Sequence, residues 1–119
     1  LSGEPVITAA RVLAALSRHI GAKNGISARL LALAVTDLAP GGDTRRAERQ
    51  LRHVITALRL EGQHICGTPE TGYFMAENDA ELDRTCSFLY ERAMTGLQQI
   101  ARMKRVSLPD LRGQLKLPT

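Results

Sequence analysis

The stretch DTRRAERQLRHVITALRLEGQHICGTPETGYFMA, from Asp43 to Ala76, decides how this chain folds. From Thr44 to Glu61 the apolar residues Leu51, Val54, Ile55 and Leu58 fall at i, i+3, i+4 and i+7, the spacing of one buried helical stripe. Arg45, Arg49, Arg52, His53, Thr56 and Arg59 lie off that stripe. Gly62 is expected to stop the helix, because glycine enters the left-handed conformation past a helix end at little energetic cost. His64-Ile65-Cys66 then predicts a short strand, Gly67 to Gly72 a turn, and Tyr73-Phe74-Met75-Ala76 the returning strand. A helix with one basic face running straight into a small hairpin has the geometry to enter the groove of a duplex.

Upstream, Leu1 to Pro5 is expected to be loose. Thr8 suits an N-cap, and Ala9, Val12, Leu13, Leu16 and Ile20 predict a first helix through about Ile20. Gly21 to Gly25 breaks it. Ser27 is the expected N-cap of a second helix from Ala28 to Leu38. Leu30, Leu31, Leu33, Ala34, Val35 and Leu38 surround that helix, which predicts the most buried helix of the chain. Pro40-Gly41-Gly42 ends it, and Asp43 or Thr44 caps the third.

Downstream, Asn78 or Asp79 is positioned to cap a long helix, with Asp79, Glu81 and Asp83 in its first turns, where the helix dipole favours anions. Leu82, Cys86, Leu89, Ala93, Leu97 (or Gly96), Ile100 and Met103 form a seam of period near 3.5 over about three heptads. Ser107-Leu108-Pro109-Asp110 predicts a break and a last short helix carrying Leu108, Leu111 and Leu115. The expected fold is mainly α with a small β-hairpin, followed by a long C-terminal helix.

A chain of 119 residues with a net charge of +4 is expected to make one core, and its charge is segregated. Thr44 to Arg59 holds five Arg against one Glu; Glu77 to Glu91 holds five acids against Arg84; Ala101 onward is basic again, through Arg102, Lys104, Arg105, Arg112 and Lys116. Such segregation points to a polyanionic partner, the bland alternative being solvated helix faces. No apolar run approaches the roughly 20 residues of a membrane span, and no signal-peptide pattern opens the sequence. Two cysteines, Cys66 and Cys86, do not make a disulfide framework, so a reducing cytoplasm is the expected setting.

Ile26-Ser27-Ala28, Leu51, Val54-Ile55, Leu58-Arg59, Glu61-Gly62, Ile65 and Gly72-Tyr73, taken together, resemble the biotin-repressor-like class of bacterial winged helix-turn-helix domains. In that class a phrase I…LR.EG..I leads into a wing ending in GY. The resemblance covers residues 8 to 76. It implies a winged helix (three helices plus wing) at residues 1–76, with residues 77–119 as a C-terminal helical extension of the kind found in small phage or prophage-type proteins. One departure is visible: the turn from Ala39 to Asp43 is longer and richer in glycine than the usual tight turn, which leaves the tilt of the third helix open.

In the winged-helix reading the third helix enters the major groove of double-stranded DNA, and Arg45, Arg46, Arg49, Gln50, Arg52, His53 and Thr56 form the pool of contacts. Arg49, Gln50 and His53 are the candidates for base edges, since Arg pairs bidentately with guanine and Gln with adenine. Arg45 and Arg46, at the helix N-terminus, are the candidates for phosphate. Lys23, Ser27 and Arg29 are further phosphate candidates. Against a merely solvated face stands the absence of lysine, which would serve solubility equally well. The wing tip, Thr68 to Thr71, carries Glu70 and no cation, which argues against strong phosphate contact.

No cofactor, metal or enzymatic chemistry is expected. His53, His64, Cys66 and Cys86 match no zinc spacing, and both cysteines are expected to be small core residues. No phosphate-binding glycine loop, nucleophile elbow or His-Glu-x-x-His occurs. The long helix either folds back as core or pairs with a second copy; its length beyond a core already closed by three helices favours a homodimer through residues 79–104. Three functions stay open: a sequence-specific regulator or phage accessory factor, a winged-helix protein–protein interaction module, and a nonspecific nucleic-acid binder in phage replication or packaging.

Overall fold

The computed structural model describes residues 6–105. The expectations for Leu1 to Pro5 and for the break and short helix from Ser107 to Leu115 lie outside the described residues. The elements are α1 (Ala9–Leu16), a 3-10 turn (Ala22–Asn24), α2 (Ala28–Ala34), α3 (Arg45–Leu60), β1 (Ile65–Thr68), β2 (Gly72–Met75) and α4 (Asp79–Lys104). The chain is mainly helical, with one antiparallel hairpin and a long C-terminal helix. It divides into two compact units, Leu1–Thr85 and Cys86–Thr119, so the first turns of α4 belong to the first unit.

In the first unit one core gathers Val12 and Leu16 of α1, Leu31 and Ala32 of α2 with Val35 just beyond it, Ala47, Leu51, Ile55 and Leu58 of α3, and Ile65 of β1. Burying each large aliphatic side chain contributes about 1.5–3 kcal/mol. The expected stripe on α3 is the spine of this core, widened by Ala47, with Val54 half-buried at its edge.

Both capping expectations for the first two helices hold. Thr8 Oγ1 accepts from the Arg11 amide at 3.2 Å, and Ser27 Oγ accepts from the Leu30 amide at 3.2 Å. α1 nevertheless ends at Leu16, not near Ile20. The reason is tertiary. The His19 carbonyl accepts from the Met75 amide (2.8 Å), and the Gly21 amide donates to the Met75 carbonyl (2.9 Å), so residues 19–21 run alongside β2 as a bridge. Ile20 is consequently 47% exposed and not part of a helical stripe.

α2 is also shorter than expected, ending at Ala34, and its apolar residues are not buried all round. Leu31 and Ala32 are fully buried, whereas Leu30 is half exposed. Val35 leaves helical geometry, and the Thr36 hydroxyl donates back to the Ala32 carbonyl at 2.7 Å, occupying the last turn. The connection to α3 therefore spans residues 35–44, still longer than the glycine-rich turn read from the sequence.

α3 stops where expected. Gly62 has φ +96°, its amide donates to the Arg59 carbonyl at 2.9 Å, and the Gln63 amide donates to the Leu58 carbonyl at 3.0 Å, a Schellman closure. The hairpin pairs Ile65 with Met75 through Thr68 with Gly72. Its strands reach nearer the tip than the sequence indicated, leaving Pro69, Glu70 and Thr71 as the loop. Ile26 makes a third, one-residue strand against Tyr73, with both amides donating, at 2.9 and 2.8 Å. Such close backbone approach needs glycine: a Cβ on Gly25 would strike the Thr71 carbonyl oxygen, and one on Gly72 (φ +72°) the Ile26 carbonyl.

Asn78 caps α4, its Oδ1 accepting from the Glu81 amide at 2.9 Å. Glu81 turns inward, accepting from the Ala22 amide on Oε2 and the Glu77 amide on Oε1, each at 2.8 Å. These amides, Ala22 first, hold its carboxyl below the usual range against the opposing effect of burial. Because the folded carboxyl titrates lower than the unfolded one, its contribution to stability is complete above about pH 4.3 and disappears as the pH falls through the folded value. Glu81→Gln is expected to lower the unfolding midpoint at neutral pH and to flatten its decline in acid. An acid limb identical to the native one would remove this latch.

In the second unit, α4 from Cys86 onward leaves Cys86, Leu89, Tyr90, Ala93 and Met103 exposed. Cys86 is therefore not a core residue. It lies on an exposed apolar strip, whereas Cys66 is buried in the first unit with Sγ 3.7 Å from the Glu81 carbonyl oxygen. Arg92 lies over the Phe88 ring at 5.5 Å.

Candidate nucleic-acid interface

α3 turns about 100° per residue, which places Arg45, Arg49, Arg52 and Thr56 in one row and Arg46, Gln50 and His53 in a second beside it, the two rows together lying opposite Ala47, Leu51, Ile55 and Leu58. All seven are exposed except the half-buried Gln50. The buried stripe that builds the core thus aims the basic face at solvent.

This arrangement does not serve the helix. Like charges at i, i+4, such as Arg45 and Arg49, destabilise by about 0.2–0.5 kcal/mol per pair. Cations in the first turn also oppose the dipole. Glu48, the one acid within α3, accepts on Oε2 from the buried Thr44 hydroxyl at 2.6 Å.

Asp43 neutralises one member of the row. Arg45 donates through Nε (3.1 Å) and Nη2 (2.9 Å) to the two Asp43 carboxylate oxygens, and its backbone amide donates to Oδ1 at 3.0 Å. The guanidinium first, then the amide, pull the Asp43 carboxyl down to about 2. Both side chains stay largely exposed, at 87% and 63%, so a surface pair of this kind exchanges readily for another anion. Asp43 thus acts on the site although the sequence reading used it only as a cap. Its position two residues before an Arg at a helix start was the available signal. Arg49, Arg52 and His53 make no ion pair among the described residues.

The flanking candidates divide by local role. Lys23 is exposed on the 3-10 turn. Ser27 is engaged as a helix cap. Arg29 donates from Nη2 to the Pro40 carbonyl at 3.2 Å, tying the start of α2 to the turn before α3. At the hairpin tip the Thr68 and Thr71 hydroxyls bond each other at 3.0 Å, each accepts the other's amide, and Thr71 also donates to the Gly72 carbonyl. These hydroxyls brace the loop internally.

Arg59 belongs to the fold. It is half-buried and donates from Nε to the Ile65 carbonyl at 2.7 Å, pinning β1 to α3. Arg59→Ala is expected to lower stability by about 1–2 kcal/mol while leaving duplex affinity nearly unchanged, measurable by urea unfolding beside a binding titration. Loss of affinity without loss of stability would instead place Arg59 in the interface.

Among the described residues no three His, Cys, Asp or Glu side chains converge as a metal site, and no helix is long and apolar enough to cross a membrane. No protein family, curated protein or solved structure matches the chain.

Proposed function

We propose that the chain is a winged helix-turn-helix protein that binds duplex DNA through α3, as a transcriptional regulator or phage accessory factor with no enzymatic role. The observation that carries this reading is the exposed row Arg45–Arg49–Arg52 on the face turned away from the core stripe, arranged against the interest of the helix itself. The bridges of Ile20 and Ile26 to β2 support the winged-helix assignment, because they give the hairpin the short third strand of a wing. Arg49, Gln50 and His53 are the proposed base readers; Arg45, once exchanged from Asp43, joins Arg46, Arg52, Lys23 and Arg29 toward phosphate. Pairing of two copies through α4, residues 79–104, would double the basic surface and suit a two-fold operator with half-sites about one helical turn, or a multiple, apart.

Selection of bound duplexes from a random pool tests the reading. A selected site bound on the order of 10³-fold more tightly than random duplex at physiological salt is the expected result. Equal affinity for both makes the chain a nonspecific binder, and no duplex binding at low salt removes the DNA reading. The protein-interaction alternative draws on Leu60, 85% exposed at the end of α3 beside the basic row. A protein partner held there would respond little to salt, unlike a polyanion.

A further inference from the structure

We infer that α4 pairs with α4 of a second copy in the antiparallel sense, with full overlap of the two helices. This rests on the self-pairing proposed above and fixes its direction and register. At about 100° per residue, Asp79, Asp83, Cys86, Tyr90, Ala93, Leu97, Ala101 and Lys104 fall within a strip roughly 80° wide. Cys86, Tyr90 and Ala93 are exposed on it, Leu97 is half-buried and Ala101 buried, and the exposed Leu89 lies beside it. The strip is acidic at its start and basic at its end.

The helix dipole explains acids in the first turn and cations in the last. It does not explain why Asp79, Asp83 and Lys104 share the azimuth of the apolar strip while Arg84, Glu91, Arg92 and Arg102 lie off it. A parallel pair would set Asp79 and Asp83 beside their own copies, and Lys104 beside its own, like charge against like. With full antiparallel overlap Asp79 faces Lys104 and Asp83 faces Ile100, so no like charges meet.

The register follows from the bounds of the helix. Full overlap of two helices running Asp79–Lys104 pairs positions that add to 183. Asp79 then meets the second copy's Lys104. Cys86 meets Leu97 and Tyr90 meets Ala93, a small side chain against a large one each time, as close helix packing requires. The occupant of this face is a second copy because the strip complements itself in both charge and size.

The test uses the full chain and two readings of it. Solution mass should be twice 13.0 kDa. In the antiparallel register the two Cys86 Cα atoms are separated along the axis by about 16 Å, beyond the roughly 7 Å limit of a disulfide. Mild oxidation of the native protein should therefore give no disulfide-linked dimer. The variant Cys86→Ser, Tyr90→Cys, Ala93→Cys, altered only at exposed positions, should become mostly disulfide-linked. Cross-linking through native Cys86 would make the pair parallel and overturn the inference, and a dimeric mass without cross-linking of the variant would overturn the register. A monomeric mass would remove the self-pairing itself and this inference with it, leaving DNA binding through α3 standing on its own titration.

Discussion

Gly25→Ala is expected to destabilise the first unit by about 3 kcal/mol, far more than one added methyl group does on a surface. Gly25 has φ −58° and ψ 148°, values alanine adopts freely, so backbone preference contributes nothing. The effect is steric: the new Cβ meets the Thr71 carbonyl oxygen, a backbone atom that cannot swing aside. Relief requires Ile26 to withdraw from Tyr73, which breaks the paired hydrogen bonds that hold residues 25–27 to the hairpin. Gly41→Ala is the control. Its Cβ meets nothing and its φ is not positive, so it should be neutral or stabilise by up to about 1 kcal/mol. Denaturant unfolding of both variants decides the matter. Equal stability would mean that the third strand does not hold the hairpin in place.

The second large effect lies in binding. Arg49→Ala with Arg52→Ala should weaken duplex affinity about 100-fold, taking about 1.4 kcal/mol per contact and tenfold for each such increment. The fold should not suffer, since neither side chain touches the core and neither makes an ion pair among the described residues. The thermal midpoint should even rise slightly, because alanine favours helix and mutual repulsion is removed. Fluorescence anisotropy with a labelled duplex and a melting curve give both values on one preparation. A fall in affinity that tracks a fall in the midpoint would assign these arginines to structure.

Much of this architecture was written locally in the sequence. Leu51, Ile55 and Leu58 announce α3 by period, Gly62 announces its end, and Thr8 and Ser27 announce two helix starts through hydroxyls three residues from their amide partners. The phrase Leu58-Arg59…Gly62…Ile65…Gly72-Tyr73 also acquires a physical meaning. Leu58 and Ile65 are core, Arg59 clips β1, Gly62 closes α3, and Gly72 lets Ile26 approach. What could not be read was nonlocal. α1 stops at Leu16 because residues 19–21 are claimed by Met75, more than fifty positions away. Glu81 looked like one more acid at a helix start, yet its carboxylate holds an amide fifty-nine residues earlier. The basic face of α3 was legible as a set of residues. The capture of Arg45 by Asp43 was local enough to be seen: one carboxylate takes both the backbone amide and the guanidinium of Arg45.

The salt dependence of duplex affinity tests the central claim most directly. If the exposed arginines of α3 neutralise phosphates, the logarithm of the association constant falls linearly with the logarithm of salt, by about 0.9 per phosphate contacted. Five cations assigned to phosphate (Lys23, Arg29, Arg45, Arg46 and Arg52) predict a slope of about −4.5, reduced to about −3.6 in the Arg49→Ala, Arg52→Ala variant, of whose two side chains only Arg52 is assigned to phosphate. A slope near zero, or one that the double substitution leaves unchanged, contradicts the account.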